Sequence, residues 1–219
     1  MFRRPLAPWR KIIPTLQTGD LIFFRGRGWQ SRVIEMVTGG VWSHVAMVVE
    51  PRDIDPETIH SGLYLWESTT IGGFDIKPGH RFPDTGPMLV DLEKRLEDYF
   101  EKWGYYLLSA RYLHVERTQE MRTAMAAFIN DPEIRDSTYP ETSHLMWYYF
   151  RERYLTARDE GSFFCSELIA ATYQAGGLLP DTPSATSYCP RDFSESGFIP
   201  RLCRAELGEE VYMAQSTER

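Results

Sequence analysis

The chain has 219 residues, 42 % of them hydrophobic and 14 % aromatic, which is enough for one full domain core or for one domain with a sizeable insertion. A net charge of −7 with no long single-sign run argues against a nucleic-acid-binding surface. The three cysteines, Cys165, Cys189 and Cys203, are odd in number and widely spaced, which fits a reducing, cytoplasmic or other intracellular compartment better than a disulfide framework.

Residues 1–17 carry four basic side chains and no acid, and they lack the apolar core of a secretory signal. A solvated basic arm is the preferred reading and an organelle transit peptide the alternative. Gly19-Asp20 marks a turn, and Leu21–Phe24 is a short apolar run that predicts a strand. Trp29–Thr38 has apolar residues on one side and predicts an amphipathic helix stopped by Gly39-Gly40. Val41–Glu50 is the strongest strand. Its apolar residues lie on both faces, so both are expected to be covered. Its apolar run Val45–Val49 is too short to span a bilayer.

A polar loop over 51–62 leads to a strand at Leu63–Thr69, a turn at Gly72-Gly73 and a third strand at Met88–Leu92. Asp91–Trp103 predicts a charged helix, and Tyr105–Leu113 is ambiguous between strand and helix. Thr118–Asn130 predicts a helix capped by Thr118, with Met121, Met125 and Phe128 or Ile129 facing inward. Glu141–Tyr154 predicts an aromatic-rich helix, and Gly161–Gly177 another, capped by Ser162 and stopped by Gly176-Gly177. From Leu178 the chain is Pro- and Ser-rich and reads as mostly irregular. Strands first and helices after them give an α+β class. The expected division is an arm (1–17), a catalytic domain (18–200) with a helical insertion over about 93–160, and a tail (201–219).

Cys165 falls in the first turn of the last helix, where unpaired N–H groups and the helix dipole favour a thiolate. The alternative is a small buried hydrophobe. His44 lies inside the strongest strand. If the strands over 41–50 and 63–69 pair antiparallel and the loop closes near residues 50 and 61, His44 stands opposite Glu67 on one face. A buried carboxylate needs a partner, and His44 is the nearest one in that register. A thiol, an imidazole and a carboxylate together fill the roles of nucleophile, base and orienting acid, and the helix N-terminus adds donors for an oxyanion. Cys165, His44 and Glu67 are the candidate catalytic residues.

Trp42, Ser43, Phe164 and Ser166 flank them and are candidate substrate-binding positions, with a core aromatic as the other reading of Trp42. His60, His80, His114 and His144 show no metal-ligand spacing, and the cysteines form no C-x-x-C, so no metal or cofactor is expected. Cys189 and Cys203 are read as structural.

TGDLIFF (18–24) followed by WSHVAMVV (42–49) resembles the barrel segment of NlpC-type cell-wall cysteine peptidases, in which those strands follow the cysteine helix. Here they precede FFCSELIA (163–170). That order is similar to the circularly permuted branch of the papain-like superfamily, which includes YiiX-like amidases, poxvirus relatives and the lecithin retinol acyltransferase group. The YiiX-like set is the nearest, with His in S-H-V, Glu in a following strand and Cys in F-C-S-E. The resemblance spans most of 18–198 but does not align across the helical middle. It implies a small antiparallel β-barrel or sheet packed on the cysteine helix, with Cys165, His44 and Glu67 as its triad.

Three functions are open. One is a thiol hydrolase of amides, on a peptide or lysine-linked bond. The second is an acyltransferase or thioesterase on a lipid ester, disfavoured because no membrane-anchoring apolar segment is present. The third is a non-catalytic module on the same fold.

Overall fold

The computed structural model describes residues 6–27, 35, 39–70, 85–103, 105–138, 164–197 and 202–214. In chain order the elements are β1 (Ala7–Pro8), α1 (Trp9–Ile12), β2 (Leu21–Gly26), β3 (His44–Val49), α2 (Pro51–Ile54), β4 (Tyr64–Thr69), β5 (Gly86–Asp91), α3 (Leu92–Glu101), β6 (Tyr105–Arg111), β7 (Leu113–His114), α4 (Gln119–Asn130), α5 (Pro132–Arg135), α6 (Cys165–Ala175), β8 (Glu206–Leu207) and β9 (Val211–Ala214), with short 3-10 turns between some of them. Seven strands form one mixed sheet in the order β1-β9-β6-β2-β3-β4-β5. Strands β2 to β5 are an antiparallel meander. β6 returns to the free side of β2, β9 pairs with β6, and β1 lies parallel to β9.

Every residue of β3 and β4 is buried, as apolar residues on both faces predict for a doubly covered strand. Leu21, Phe23, Val45, Met47 and Trp66 pack on one face with Met121, Met125 and Ile129 of α4 and Leu168, Ile169 and Tyr173 of α6. The indole of Trp66 donates to Thr172 Oγ1 at 3.0 Å, which fixes α6 over β4. Ile22, Phe24, Ala46, Val48 and Leu65 face the other way, onto Leu92, Leu96 and Tyr99 of α3 and onto Trp9, Ile13 and Leu16. Among the described residues the sheet is therefore open and sandwiched between helices: of the small antiparallel barrel or sheet that the resemblance implies, it is the sheet, though larger and mixed, and not the barrel. Helical layers bury both faces, so the sheet need not curl to hide one.

The ambiguous stretch 105–113 is strand: β6 is an interior member of the sheet, and β7 pairs with β8. The middle of the chain is thus not helical throughout. The tail does not stay irregular either, because β9 extends the sheet. A four-residue strand carries little pattern of its own. Side chains around it hold it in place: Trp42 Nε1 donates to Glu210 Oε1, and Arg111 donates to the carbonyls of Leu207 and Gly208. Residues 7–16 are packed on the sheet rather than solvated, since Trp9, Ile13 and Leu16 are buried.

The Gly19-Asp20 turn is built as its sequence suggests. Gly19 has φ +96°, and Asp20 accepts from the backbone of Gln17 and Leu113 and from Arg117. Asp91 caps α3 by accepting from Lys94 N–H, and Thr118 caps α4 by accepting from Met121 N–H. The predicted helix at 141–154 lies outside the described residues, as does the one at 29–38 apart from Glu35, which is helical. No helix among the described residues is long and apolar enough to cross a membrane.

Candidate active site

β3 and β4 pair antiparallel with Met47 opposite Trp66, Val48 opposite Leu65 and Val49 opposite Tyr64. Continued toward the start of β3, this register sets Ala46 against Glu67 and His44 against Thr69. It differs by two residues from a closure at 50 and 61. Helix α2 takes up the chain directly after β3, so the strands part at Val49 and rejoin at Tyr64. Because side chains alternate with period two, a two-residue difference keeps both residues on the same face. His44 and Glu67 are diagonal neighbours, and His44 Nε2 lies 2.7 Å from Glu67 Oε2.

Glu67 is fully buried, and three side chains converge on its carboxylate. Besides His44, Arg95 Nε donates to Oε1 at 2.6 Å and the Tyr99 hydroxyl donates to Oε2 at 2.6 Å. Burial alone would push this carboxyl up. The Arg95 charge and the bond with His44 outweigh it and hold the group down, at about 2. The opposite balance holds for His44. Burial disfavours its cation, but the hydrogen bonds with Cys165 and Glu67 and their charges raise it to about 9. Both directions favour an imidazolium paired with a carboxylate. Phe24 and Tyr99 flank the imidazole, with ring centroids at 5.3 and 6.1 Å.

Cys165 is the first residue of α6 and is buried beside His44. Nε2 of His44 is engaged by Glu67, which leaves Nδ1 for the thiol. The helix starts later than a Ser162 cap implies. Phe164 occupies the cap position, and the Glu167 carboxylate accepts from its N–H at 3.3 Å. The first helical bond runs from Leu168 N–H to Phe164 C=O, so the amides of Cys165 to Glu167 have no acceptor within the helix.

His44 and Glu67 belong to the sheet face covered by α3, whereas α6 lies on the opposite layer. The site thus forms where the start of α6 meets the end of the sheet.

The four flanking residues divide. Trp42, Ser43 and Ser166 are buried, and their polar atoms donate to Glu210, to the Phe24 carbonyl and to the Tyr188 carbonyl. Phe164, in contrast, is partly exposed. A cavity of about 300 Å³ opens beside Tyr105, with Arg27, Phe100, Tyr106 and Met213 among its walls. The Tyr105 ring packs on Tyr99 and Phe24, the two rings that flank His44.

Sequence reasoning missed Arg95 and Tyr99. The signal was present: Leu92, Arg95, Leu96 and Tyr99 share the buried stripe of α3, and an arginine on such a stripe needs a buried anion. His60 stacks on Tyr64, His114 lies in β7, and His80 and His144 lie outside the described residues. Among the described residues no group of three or more His, Cys, Asp or Glu is placed to hold a metal ion. Burial and the neighbouring Asp192 push the Cys189 thiol up to about 11, and Cys203 is exposed.

No family model and no curated protein matches the chain. Among solved structures it is similar to the crystal structure of metalloprotein yiiX from Escherichia coli O157:H7. The identity is 16 %, with 91 % of this chain and 97 % of that one covered and a TM-score of 0.45.

Proposed function

We propose that the protein is a thiol hydrolase that cleaves an amide bond, on a peptide or a lysine-linked group, through an acyl-enzyme on Cys165. The observation that carries this reading is the buried relay itself, with Cys165 beside His44 and His44 Nε2 2.7 Å from Glu67. On this reading the fold is a circularly permuted papain-like one of the NlpC kind, because base and acid precede the nucleophile's helix in the chain.

The Cys165 thiolate attacks the amide carbon, and the oxyanion formed faces the amides at the start of α6. The imidazolium of His44 gives its proton to the amine nitrogen as the C–N bond breaks, leaving a thioester on Cys165. A water then attacks the thioester. His44 takes its proton, the C–S bond breaks and the acid product leaves. Glu67 holds the ring in place and stabilises its cation in both halves.

Incubation with matched amide and ester probes, followed by intact mass, tests the reading. An adduct on Cys165 that is absent from Cys165→Ser supports it, and the probe that reacts shows which bond is attacked. Adducts that persist in Cys165→Ser overturn it.

Alkylation gives a second test. At about pH 6 an ordinary thiol is only about 0.3 % thiolate. Iodoacetamide is expected to modify Cys165 at least tenfold faster than Cys203 or Cys189, although Cys203 is exposed and Cys165 is not. Equal rates at Cys165 and Cys203 would remove the basis for a nucleophile.

A further inference from the structure

A thiol–imidazole–carboxylate relay requires three side chains, and this one has five. Arg95 and Tyr99 stand four residues apart on α3, so one helical turn presents both to the same carboxylate. Arg95 is itself buried. Its Nη2 lies 3.0 Å from Met88 Sδ, and its guanidinium carbon lies 5.1 Å from the Tyr99 ring centre. Glu67 Oε1 takes the guanidinium, and Oε2 takes both the Tyr99 hydroxyl and His44. The carboxylate is thereby fixed in place.

We infer that Arg95 and Tyr99 are positioning residues for the proposed reaction: they keep Glu67 ionised and aimed, so that the proton it shares with His44 stays on Nε2 and Nδ1 remains free to serve Cys165. This inference rests on the Cys165–His44 reading given above.

Charge balance supports it. Arg95 and Glu67 cancel, and so do the imidazolium and thiolate of His44 and Cys165. The reactive ion pair can therefore form in a buried setting with no net charge. Without Arg95, one imidazolium faces two anions, and such a cluster relieves itself by taking up a proton. A protonated Glu67 would donate to Nε2. The neutral ring would then carry its own proton on Nδ1 and present a donor, not an acceptor, to the thiol. The base would be lost even with every residue of the triad in place.

The titratable groups that act on Glu67 are His44 from β3 and Arg95 and Tyr99 from α3; Tyr105 from β6 feels its charge, Asp98 acts on Arg95, and Cys165 at the start of α6 acts on His44 and Tyr105. Arg95 is the permanent cation among them. Met88 from β5 adds no charge.

The test is the pH profile of Cys165 alkylation, over about pH 4 to 9, in the unmodified protein and in Arg95→Met, Arg95→Lys and Tyr99→Phe. The acid limb, where the rate falls as pH is lowered, is expected to move up by roughly one to three pH units in Arg95→Met. Tyr99→Phe should move it less, in the same direction, and Arg95→Lys should move it back toward the starting profile. A merely structural role would lower the folded fraction without moving the limb. Tyr99→Phe removes a single hydroxyl, so it decides the matter if Arg95→Met does not fold. Acid limbs that coincide with that of the unmodified protein in the folded variants overturn the inference alone. A slow Cys165 in the unmodified protein would instead sink the proposed function, and this inference would fall with it.

Discussion

Cys165→Ser and His44→Ala are each expected to lower turnover by about a million-fold, and the double variant is expected to be hardly slower than either. On the proposed reading the thiol sulfur is the bond-forming atom, and His44 is both its base and the acid for the leaving group. A serine hydroxyl in its place is far less acidic and forms no comparable ion pair with His44. Loss of His44 removes the thiol's base and the leaving group's acid together. Two residues that serve one step cannot be lost twice, so the effects must not multiply. Glu67→Gln should cost less, about ten-thousand-fold, since nucleophile and base remain. Turnover of the first amide substrate found, or labelling by a covalent probe, measures this. If the Cys165 and His44 losses multiplied, the two residues would not share a chemical step and the relay reading would be abandoned.

Glu67→Gln should also destabilise the fold, by about 3–5 kcal/mol, because it leaves Arg95 buried without its counter-charge. The pH dependence has a definite sign. Glu67 is lowered from its ordinary 4.5 to about 2, so its contribution is complete above about 4.5 and is lost as pH falls toward 2. His44 is raised from 6.5 to about 9, so its contribution is complete below about 6.5 and is lost as pH rises toward 9. The two overlap fully between about pH 4.5 and 6.5. Urea unfolding should show the widest gap between unmodified and variant protein in that window and a narrower one on either side. Glu67→Gln/Arg95→Met should recover part of the loss, because it removes the buried cation together with the carboxylate that balanced it. A gap that is flat with pH, together with a further loss in the double variant, would mean that the cluster is not coupled in this way.

The strands that build the site were readable because burial on both faces leaves an unmistakable apolar run, as in Val45–Val49. The shared face of His44 and Glu67 was readable for a different reason. Period-two alternation tolerates an even error in register, and α2 introduced an error of two. An odd error would have separated them. The architecture around the site was less legible. β9 is too short to announce itself, and its place beside β6 depends on Trp42, Arg111 and Glu210, which lie far apart in the chain. The role of Arg95 was hidden because a charged helix is ordinarily read as solvated. Only its position among Leu92, Leu96 and Tyr99 marks it as buried.

The split of the site between two layers has a consequence for the order in which the chain folds. β2 to β5 pair with their neighbours in sequence, and such closures cost little chain entropy. Helix α6 follows β6 and comes from much farther along the chain to reach β3 and β4, and contacts of that kind form slowly. Chain entropy thus favours a sequence in which His44 and Glu67 meet before Cys165 arrives. Until α6 docks, Cys165 reacts as any free thiol does. On the proposed reading, activation of the thiol is then tied to the docking of α6. Pulses of iodoacetamide at about pH 6 during refolding would follow this directly, with fast labelling of Cys165 appearing later than the far-UV signal of the sheet. Fast labelling that accompanies the earliest signal would show that the helix docks first.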